Sequence, residues 1–224
     1  VHRHGDRNPT STYANDHNML HWLQKGLGAL TEVTRKNSKV DFFIFNDIIQ
    51  KGEKRMRHLG NFLRHRYNPI WRRKNELYVR SSRVDRCIKS VQNVINGAYD
   101  DDFVSHPIPI RNVAPTEDYM LNTLSICPAW MAANKRIMAL PENVKWYQSY
   151  MPLLSYLTEK SGSNVTKMGD ATDFYENLEI STENGLLLPH WVNETMMEQL
   201  KEINNNKYLI IFNTTLQQRL RAGI

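Results

Sequence analysis

The sequence predicts an α/β fold with an open, mostly parallel sheet, flanking helices and a smaller helical cap. Two observations predict it. Residues 76–113 alternate a strand pattern, an amphipathic helix pattern and a second strand pattern, which is typical of a parallel sheet. From residue 116 onward, apolar residues recur mostly at helical spacing. We therefore expect residues 1–113 to belong to an α/β domain and residues 114–224 to form a mostly helical cap.

The N-terminal half contains five segments with readable periodicity. Residues 1–4 have the character of a strand end, and residues 51–67 place apolar side chains on one face of a predicted helix. Short strands are predicted at residues 76–81 and 107–113. A helix with a continuous apolar stripe is predicted at residues 84–97, between these strands. This order predicts two parallel strands joined by a helix.

The C-terminal half is predicted to be helical with polar breaks. The predicted helices cover residues 117–124, 141–157, 172–178 and 191–203. Aromatic and methionine side chains recur in them at helical spacing, which is more typical of a packed core than of a cofactor site. We therefore expect these helices to pack around an apolar core, and we predict no cofactor.

The composition is that of an ordinary globular protein. The chain has 224 residues, of which 41% are hydrophobic, and it contains no run of about 18 apolar residues that would predict a transmembrane segment. Its net charge of +6 would suit nucleic acid, an anionic surface or an anionic substrate. The basic residues are dispersed apart from residues 64–66 and 72–74, and no nucleic-acid-binding motif accompanies them. We therefore predict no nucleic-acid partner.

The first nine residues concentrate the chemistry of the chain. Arg3 and Arg7 lie on either side of His4, Gly5 permits a sharp turn, and Pro9 stiffens the chain that follows. Arginine carries a permanent charge and a planar fork that matches phosphate oxygens, and a histidine with a free ring nitrogen can attack phosphorus. The pattern predicts a phosphate site with a histidine nucleophile. A basic surface turn is the alternative.

Two sequence blocks resemble the histidine acid phosphatases. Residues 3–9, Arg-His-Gly-Asp-Arg-Asn-Pro, are similar to the Arg-His-Gly-x-Arg-x-Pro signature of that family. Residues 78–86 resemble its second block, in which an arginine at a strand end, here Arg80, contacts phosphate and an Asp-Arg pair opens the next helix. Looser similarity covers further segments: residues 28–32, 51–56, 110–118 and 188–191.

The resemblance implies hydrolysis of phosphate monoesters at acidic pH through a phosphohistidine, without a metal or cofactor. It assigns His4 as the nucleophile and Arg3, Arg7 and Arg80 as the catalytic, substrate-binding cations that neutralise the phosphate oxygens. Asp6 would be repelled by a phosphate, so we expect it to orient backbone groups or the His4 ring. A secreted or lysosomal location follows from the same resemblance, and homodimerisation stays open.

The sequence departs from the family at a downstream His-Asp pair, whose aspartate protonates the leaving oxygen. No His-Asp dipeptide occurs in these 224 residues, so no general acid is assigned in this chain. A general acid typically contributes about 10²- to 10⁴-fold in rate, so we expect impaired activity. We also expect the chain to be a fragment that lacks both ends, with an incomplete sheet. A catalytically silent secreted protein that binds phosphate or phosphorylated ligands is the alternative.

Residues 33–50 interrupt the similarity and surround an apolar Phe-Phe-Ile-Phe core. Valine codons begin with GT and a glutamine codon can be CAG, so the segment's first and last residues match the ends of an intron. Two hypotheses follow. The segment is either a short intron translated in frame or a genuine surface insertion.

Three glycosylation sequons favour the secretory route: they begin at Asn164, Asn193 and Asn213. The chain contains two cysteines. Cys127 resembles a family cysteine that bridges to a region further downstream, whereas Cys87 faces a helix core. We therefore expect Cys127 to be unpaired in this chain and Cys87 to be a buried free thiol.

Overall fold

The computed structural model describes residues 2–30, 51–71, 73–99, 107–122 and 127–222. The predicted insertion at residues 33–50, Arg72 and the strand residue Val1 lie outside the described residues. Contacts within the chain divide it into two units. Unit 1 comprises Val1–Asn8 and Gly28–Ser125, and unit 2 comprises Pro9–Leu27 and Ile126–Ile224. The predicted division after residue 113 stays a prediction.

The described residues form nine α-helices and two strands. In chain order these are α1 (Met19–Lys25), α2 (Lys51–Arg66), β1 (Val79–Arg80), α3 (Asp85–Tyr99), β2 (Ile110–Arg111), α4 (Pro128–Met138), α5 (Pro141–Ser149), α6 (Met151–Ser161), α7 (Met168–Glu183), α8 (Glu194–Ile211) and α9 (Thr215–Ala222). Two 3₁₀ turns, Asn68–Ile70 and Lys74–Glu76, follow α2. None of the described helices combines the length and apolar character needed to cross a bilayer.

Unit 1 contains the predicted strand-helix-strand arrangement. Strands β1 and β2 pair in parallel, with Val79 opposite Ile110, and α3 connects them. The apolar side of α3 packs against the strands because Val91 and Ile95 are buried together with Ile108. This confirms the predicted α/β fold with an incomplete sheet.

The first residues of the chain are not a strand in the described part of unit 1. Residues 2–6 have no regular structure, and Arg7 forms an isolated antiparallel bridge with Leu30. The backbone N–H of Gly5 donates a hydrogen bond to the Ser90 hydroxyl instead of to a neighbouring strand. The segment is therefore held by side chains rather than by a ladder.

Helices α2 and α3 pack with their backbones in direct contact. A Cβ atom at Gly60 would overlap the carbonyl oxygen of Val94, and one at Gly97 would overlap the carbonyl oxygen of Arg57. Only glycine allows such a close approach at both positions. This packing fixes α2 against α3 within unit 1.

Unit 2 is helical around a large apolar core. Its buried side chains come chiefly from α6, α7 and α8: among them are Leu154, Leu157, Phe174, Leu178, Leu200 and Ile203. These helices are amphipathic, and their apolar faces meet one another, as the spacing of apolar residues predicts.

Two of the predicted helices need correction. The predicted helix over residues 141–157 is two helices, α5 and α6, which meet at Tyr150, because Pro152 lacks the N–H that a continuous helix requires. Residues 115–121 form turns instead of the predicted helix at 117–124. There the Asp118 carboxylate accepts a hydrogen bond from the N–H of Leu121, which offers the backbone an alternative to helical pairing.

Candidate active site

His4 lies in unit 1 with its ring orientation fixed by the neighbouring backbone. Its Nδ1 atom is 2.7 Å from the carbonyl oxygen of Gly5. A carbonyl oxygen can only accept a hydrogen bond, so Nδ1 must carry the proton. In the neutral imidazole the other nitrogen, Nε2, then keeps its lone pair. This is the tautomer that a nucleophilic histidine requires.

The surroundings of His4 favour its neutral form. Burial lowers the pKa of His4 most, and the positive charges of Arg3, Arg86 and Arg7 lower that pKa further, against an opposing effect of the Gly5 carbonyl. The imidazole consequently stays neutral at a more acidic pH than an exposed histidine would. The structure thus brings two of the predicted cations, Arg3 and Arg7, close to His4.

Two helices hold the turn that carries His4. The N–H of Gly5 donates to the Ser90 hydroxyl at 3.1 Å, and that hydroxyl donates to the carbonyl oxygen of Arg86 at 2.6 Å. Ser90 lies on α3 and is fully buried. On the other side, a Cβ atom at position 5 would lie 2.6 Å from the carbonyl oxygen of Gly52, at the start of α2. The close approach of the two backbones explains the glycine.

Asp6 does not orient the His4 ring, because the Gly5 carbonyl occupies that role. Its carboxylate instead accepts two hydrogen bonds from Nη1 of Arg55, at 2.7 and 3.0 Å. This ion pair offsets the negative charge of Asp6 next to a cationic site. Of the two roles expected for Asp6, orientation of the ring is not observed, and orientation of backbone groups stays a prediction.

Arg80 ends strand β1 and pairs with Asp118. Its Nη2 atom lies 2.7 Å from Oδ1 of Asp118, a carboxylate that is 1% exposed. Burial acts to raise the pKa of Asp118, but hydrogen bonds from the Leu121 N–H and from Arg80 outweigh it, so the pKa falls below its usual value. Asp118 is therefore ionised and holds Arg80 in place.

Arg80 and His4 belong to the same unit, although Arg80 is not among the charges that shift the pKa of His4. The buried Nε atom of Arg80 has no hydrogen-bond partner among the described residues. A buried donor without a partner is costly, and an anion can satisfy it. Arg80 therefore has a buried donor that an anion could satisfy, while its Nη2 atom is held by Asp118.

Arg86 was predicted only as part of the Asp-Arg pair that opens a helix. It lies in the first turn of α3, where its charge helps to lower the pKa of His4. Its Nε atom is also buried without a hydrogen-bond partner in the part of the chain that the structure describes. A cation in a first helical turn opposes the helix dipole, and this unfavourable placement is a sequence feature that singles out Arg86.

No group of three His, Cys, Asp or Glu side chains among the described residues is arranged to hold a metal ion. The charges that lower the pKa of His4 belong to Arg3, Arg86 and Arg7. Outside the site, Cys87 and Cys127 are both free and half-buried. The three sequon asparagines, Asn164, Asn193 and Asn213, are all exposed, and their glycosylation stays a prediction.

Comparisons with known proteins find relatives that match the whole chain and not only the blocks at residues 3–9 and 78–86. Lysosomal acid phosphatase of Xenopus laevis is 27% identical over 237 residues, which cover this entire chain and 51% of that protein. Prostatic acid phosphatase of Rattus norvegicus is 25% identical over 237 residues and is covered to 58%. The chain thus spans about half the length of the curated relatives it matches.

Solved structures show the same fold at lower identity. The Klebsiella sp ASR1 phytase superposes with a TM-score of 0.52 and 16% identity, over 97% of this chain and 60% of the phytase chain. The Hafnia alvei phytase in complex with tartrate gives a TM-score of 0.53 at 15% identity, over 96% of this chain and 60% of that chain. Residues 1–219 also match the sequence model of one family, so the resemblance seen at residues 3–9 and 78–86 is confirmed, and the chain belongs to the histidine phosphatase superfamily (branch 2).

Proposed function

We propose that this protein is an acid phosphatase that hydrolyses phosphate monoesters through a phosphohistidine on His4. The observation that carries the proposal is the 2.7 Å contact between Nδ1 of His4 and the Gly5 carbonyl, because it leaves Nε2 free to attack phosphorus. The relatives named as lysosomal and prostatic acid phosphatases support the same chemistry.

In the first step, Nε2 of His4 forms a bond to phosphorus while the bond between phosphorus and the leaving oxygen breaks. The guanidinium groups of Arg3, Arg7 and Arg80 bind the three other phosphate oxygens and neutralise their charge. In the second step, water attacks the phosphohistidine, releases phosphate and restores neutral His4. The charge of Arg86 also lowers the pKa of His4, so we include Arg86 among the cations that stabilise the phosphate.

The lowered pKa of His4 supports turnover at acidic pH. A nucleophilic imidazole must be unprotonated, and burial together with the neighbouring arginines keeps His4 unprotonated below its usual pKa. The acidic limb of the pH profile of kcat/KM for the free enzyme should therefore lie below the value of an ordinary histidine. Arg3→Gln should move that limb to higher pH, because it removes one of the charges that disfavour protonation.

The leaving oxygen needs a proton, and the described site offers no obvious donor. Asp118 is held as a carboxylate by Arg80 and Leu121. No His-Asp dipeptide occurs in the 224 residues. We propose that catalysis by these residues alone is impaired by about 10²- to 10⁴-fold for alkyl phosphates, and much less for p-nitrophenyl phosphate, whose leaving group needs no proton.

The test combines turnover with trapping of the intermediate. Wild-type protein should turn over p-nitrophenyl phosphate at acidic pH and should retain, after alkaline quench, label from radioactive phosphate ester on His4. His4→Ala should remove the label and lower kcat by at least about 10³-fold. Arg7→Gln and Arg80→Gln should lower kcat/KM by roughly 10²- to 10³-fold each.

Arg83→Gln is the matched control, because Arg83 is an exposed cation of the same unit outside the site and its loss should leave turnover unchanged. Phosphate binding that needs His4 and Arg80 but occurs without turnover or label would overturn the enzymatic proposal. That outcome would favour the silent phosphate-binding protein.

The relatives named as lysosomal and the three exposed sequons support a secreted or lysosomal location. Glycan-specific mass shifts on protein from a secreting host test this part separately. Unmodified Asn164, Asn193 and Asn213 in secreted material would contradict the glycoprotein part of the proposal.

A further inference from the structure

A strongly basic surface of unit 1 lies outside the proposed site. Residues 62–74 contain five Lys or Arg residues and no Asp or Glu. Folded domains usually intersperse both signs of charge on their surfaces, so a stretch of this length without a carboxylate produces a local positive field. The stretch includes the end of α2, the first 3₁₀ turn and the start of the second turn, which ends at Glu76.

The same surface exposes large apolar side chains. Ile70 is 75% exposed, Phe62 is 57% exposed and Tyr67 is 42% exposed. Phe62 and Arg66 are one helical turn apart on α2, so they share a face of that helix. Helix α2 packs on α3 through Gly60, and the exposed Phe62 lies away from that contact. We call these cations and apolar residues, which are exposed except for the half-buried Lys74, the α2-end surface: Phe62, Arg66, Tyr67, Ile70, Arg73 and Lys74.

Two cations of the α2-end surface lie over aromatic rings. The Arg66 guanidinium lies 5.8 Å from the centroid of the Tyr67 ring, and the Lys74 ammonium lies 5.6 Å from that of Tyr99. Neither Arg66 nor Arg73 forms an ion pair with a carboxylate of the described residues. Their charge is therefore available to an anionic partner.

We infer that the α2-end surface docks on an anionic lipid bilayer. Lys and Arg near a membrane attract anionic headgroups, while exposed aromatic and aliphatic side chains enter the boundary between headgroups and acyl chains. A free polyanion such as heparin or nucleic acid would use the cations but would leave Ile70 and Phe62 in water. The combination of both features favours a lipid surface, and it does not depend on the proposed phosphatase activity.

The experiment measures cosedimentation of the full chain with vesicles. The protein should bind vesicles of phosphatidylcholine that contain roughly a third phosphatidylserine, should not bind phosphatidylcholine alone, and should be released by salt. The double variant Arg66→Gln/Arg73→Gln should weaken binding at least about 10-fold. Ile70→Ser should weaken vesicle binding several-fold while leaving binding to heparin unchanged.

The control variants remove similar groups from exposed positions of unit 2: Lys145→Gln/Lys201→Gln for charge and Leu209→Ser, at a side chain 66% exposed, for apolar area. Neither should change vesicle binding, and all variants should keep the wild-type circular dichroism. An equal loss of vesicle binding in the control variants would show that binding depends on net charge and not on the α2-end surface, which would overturn the inference. Vesicle binding that is insensitive to Ile70→Ser and is abolished by heparin would overturn it in favour of a polyanion site.

Discussion

The two units are stabilised in different ways. Unit 2 buries a cluster of twelve side chains, in which the Tyr13 and Phe174 rings lie 4.7 Å apart. The corresponding cluster of unit 1 contains three buried side chains among the described residues. Unit 1 relies instead on contact between helix backbones and on a buried carboxylate, Asp118, that holds Arg80. The unit that carries the proposed chemistry thus depends on specific polar contacts, and the helical unit depends on apolar burial.

This difference has a physical reason. A site that binds an anion must keep several cations together and partly buried, which opposes folding unless polar groups compensate for it. Residues used in this way are not available for an apolar core. We therefore expect unit 2 to respond mainly to loss of volume, and unit 1 to respond to backbone crowding and to pH.

The largest effect is expected in the apolar core of unit 2. Leu157 is fully buried on α6, so Leu157→Ala should lower the free energy of unfolding of that unit by roughly 2 to 5 kcal/mol. Urea unfolding followed by tryptophan fluorescence measures the change. Leu187→Ala is the matched control, because Leu187 is 82% exposed and its truncation should change stability by less than about 0.5 kcal/mol. Similar losses for both variants would contradict the assigned core.

The next effect concerns the contact between α2 and α3. A Cβ atom at Gly97 would overlap the backbone carbonyl of Arg57, so Gly97→Ala should lower the stability of unit 1 by about 1 to 3 kcal/mol. The backbone cannot move aside as a flexible side chain could.

Gly169→Ala provides the control for the substitution itself. Gly169 lies on α7, and a Cβ atom there would meet nothing within 4 Å, so alanine should stabilise the helix by up to about 1 kcal/mol. Opposite signs for the two glycines would support tight backbone packing in unit 1. A neutral Gly97→Ala would show that the helices separate easily.

A smaller effect is expected from the buried ion pair of unit 1. Asp118→Asn removes the charge that holds Arg80, which is itself 23% exposed, so the loss at neutral pH should be about 1 to 2 kcal/mol. The pKa of Asp118 is lowered in the folded state. Its contribution is therefore fully present above the unfolded pKa of about 4 and is lost as the pH falls through the lower folded value.

Unfolding measured at a series of pH values tests this sign. The stability difference between wild type and Asp118→Asn should be largest at neutral pH and should shrink as the pH drops below about 4. A constant difference would mean that the aspartate acts through shape and not through its charge. Leu157→Ala should show no such dependence, since it changes no titrating group.

Local sequence patterns predicted more of the fold than of the site. The predicted helix at residues 51–67 is observed as Lys51–Arg66. This prediction succeeded because apolar side chains spaced about one turn apart fall on the same face of a helix. The order of β1, α3 and β2 was predicted because two strand patterns lie on either side of a helical apolar stripe. The break at Tyr150 could also have been predicted from Pro152, but helical periodicity on both sides concealed it.

Contacts distant in sequence could not be predicted from such patterns. The pairing of Arg55 with Asp6 joins residues 49 positions apart, and that of Arg80 with Asp118 joins residues 38 positions apart. No periodicity links such residues, since their meeting depends on how elements pack. The motif at residues 3–9 indicated which groups carry the chemistry, whereas the role of the Gly5 carbonyl in fixing the His4 tautomer required the fold.

The smallest effect concerns a helix cap of unit 2 that coincides with a sequon. Asn193 precedes α8, and its side-chain oxygen accepts a hydrogen bond from the N–H of Met196 at 2.9 Å. Asn193→Ala should lower stability by about 1 kcal/mol because that N–H loses its partner. Asn193→Asp should keep the cap, since a carboxylate oxygen can accept the same hydrogen bond.

The cap and the predicted glycan use different atoms of Asn193, because a glycan is attached to the side-chain nitrogen. Thr195→Ala destroys the sequon and leaves the cap intact. In a glycosylating host, all three variants should lose the same glycan mass at this site. When the unglycosylated proteins are compared, only Asn193→Ala should be less stable than the wild type. An equal stability loss in Asn193→Asp would show that the amide itself, and not an acceptor oxygen, holds the first turn of α8. Unit 2 would then depend on a specific polar contact as unit 1 does.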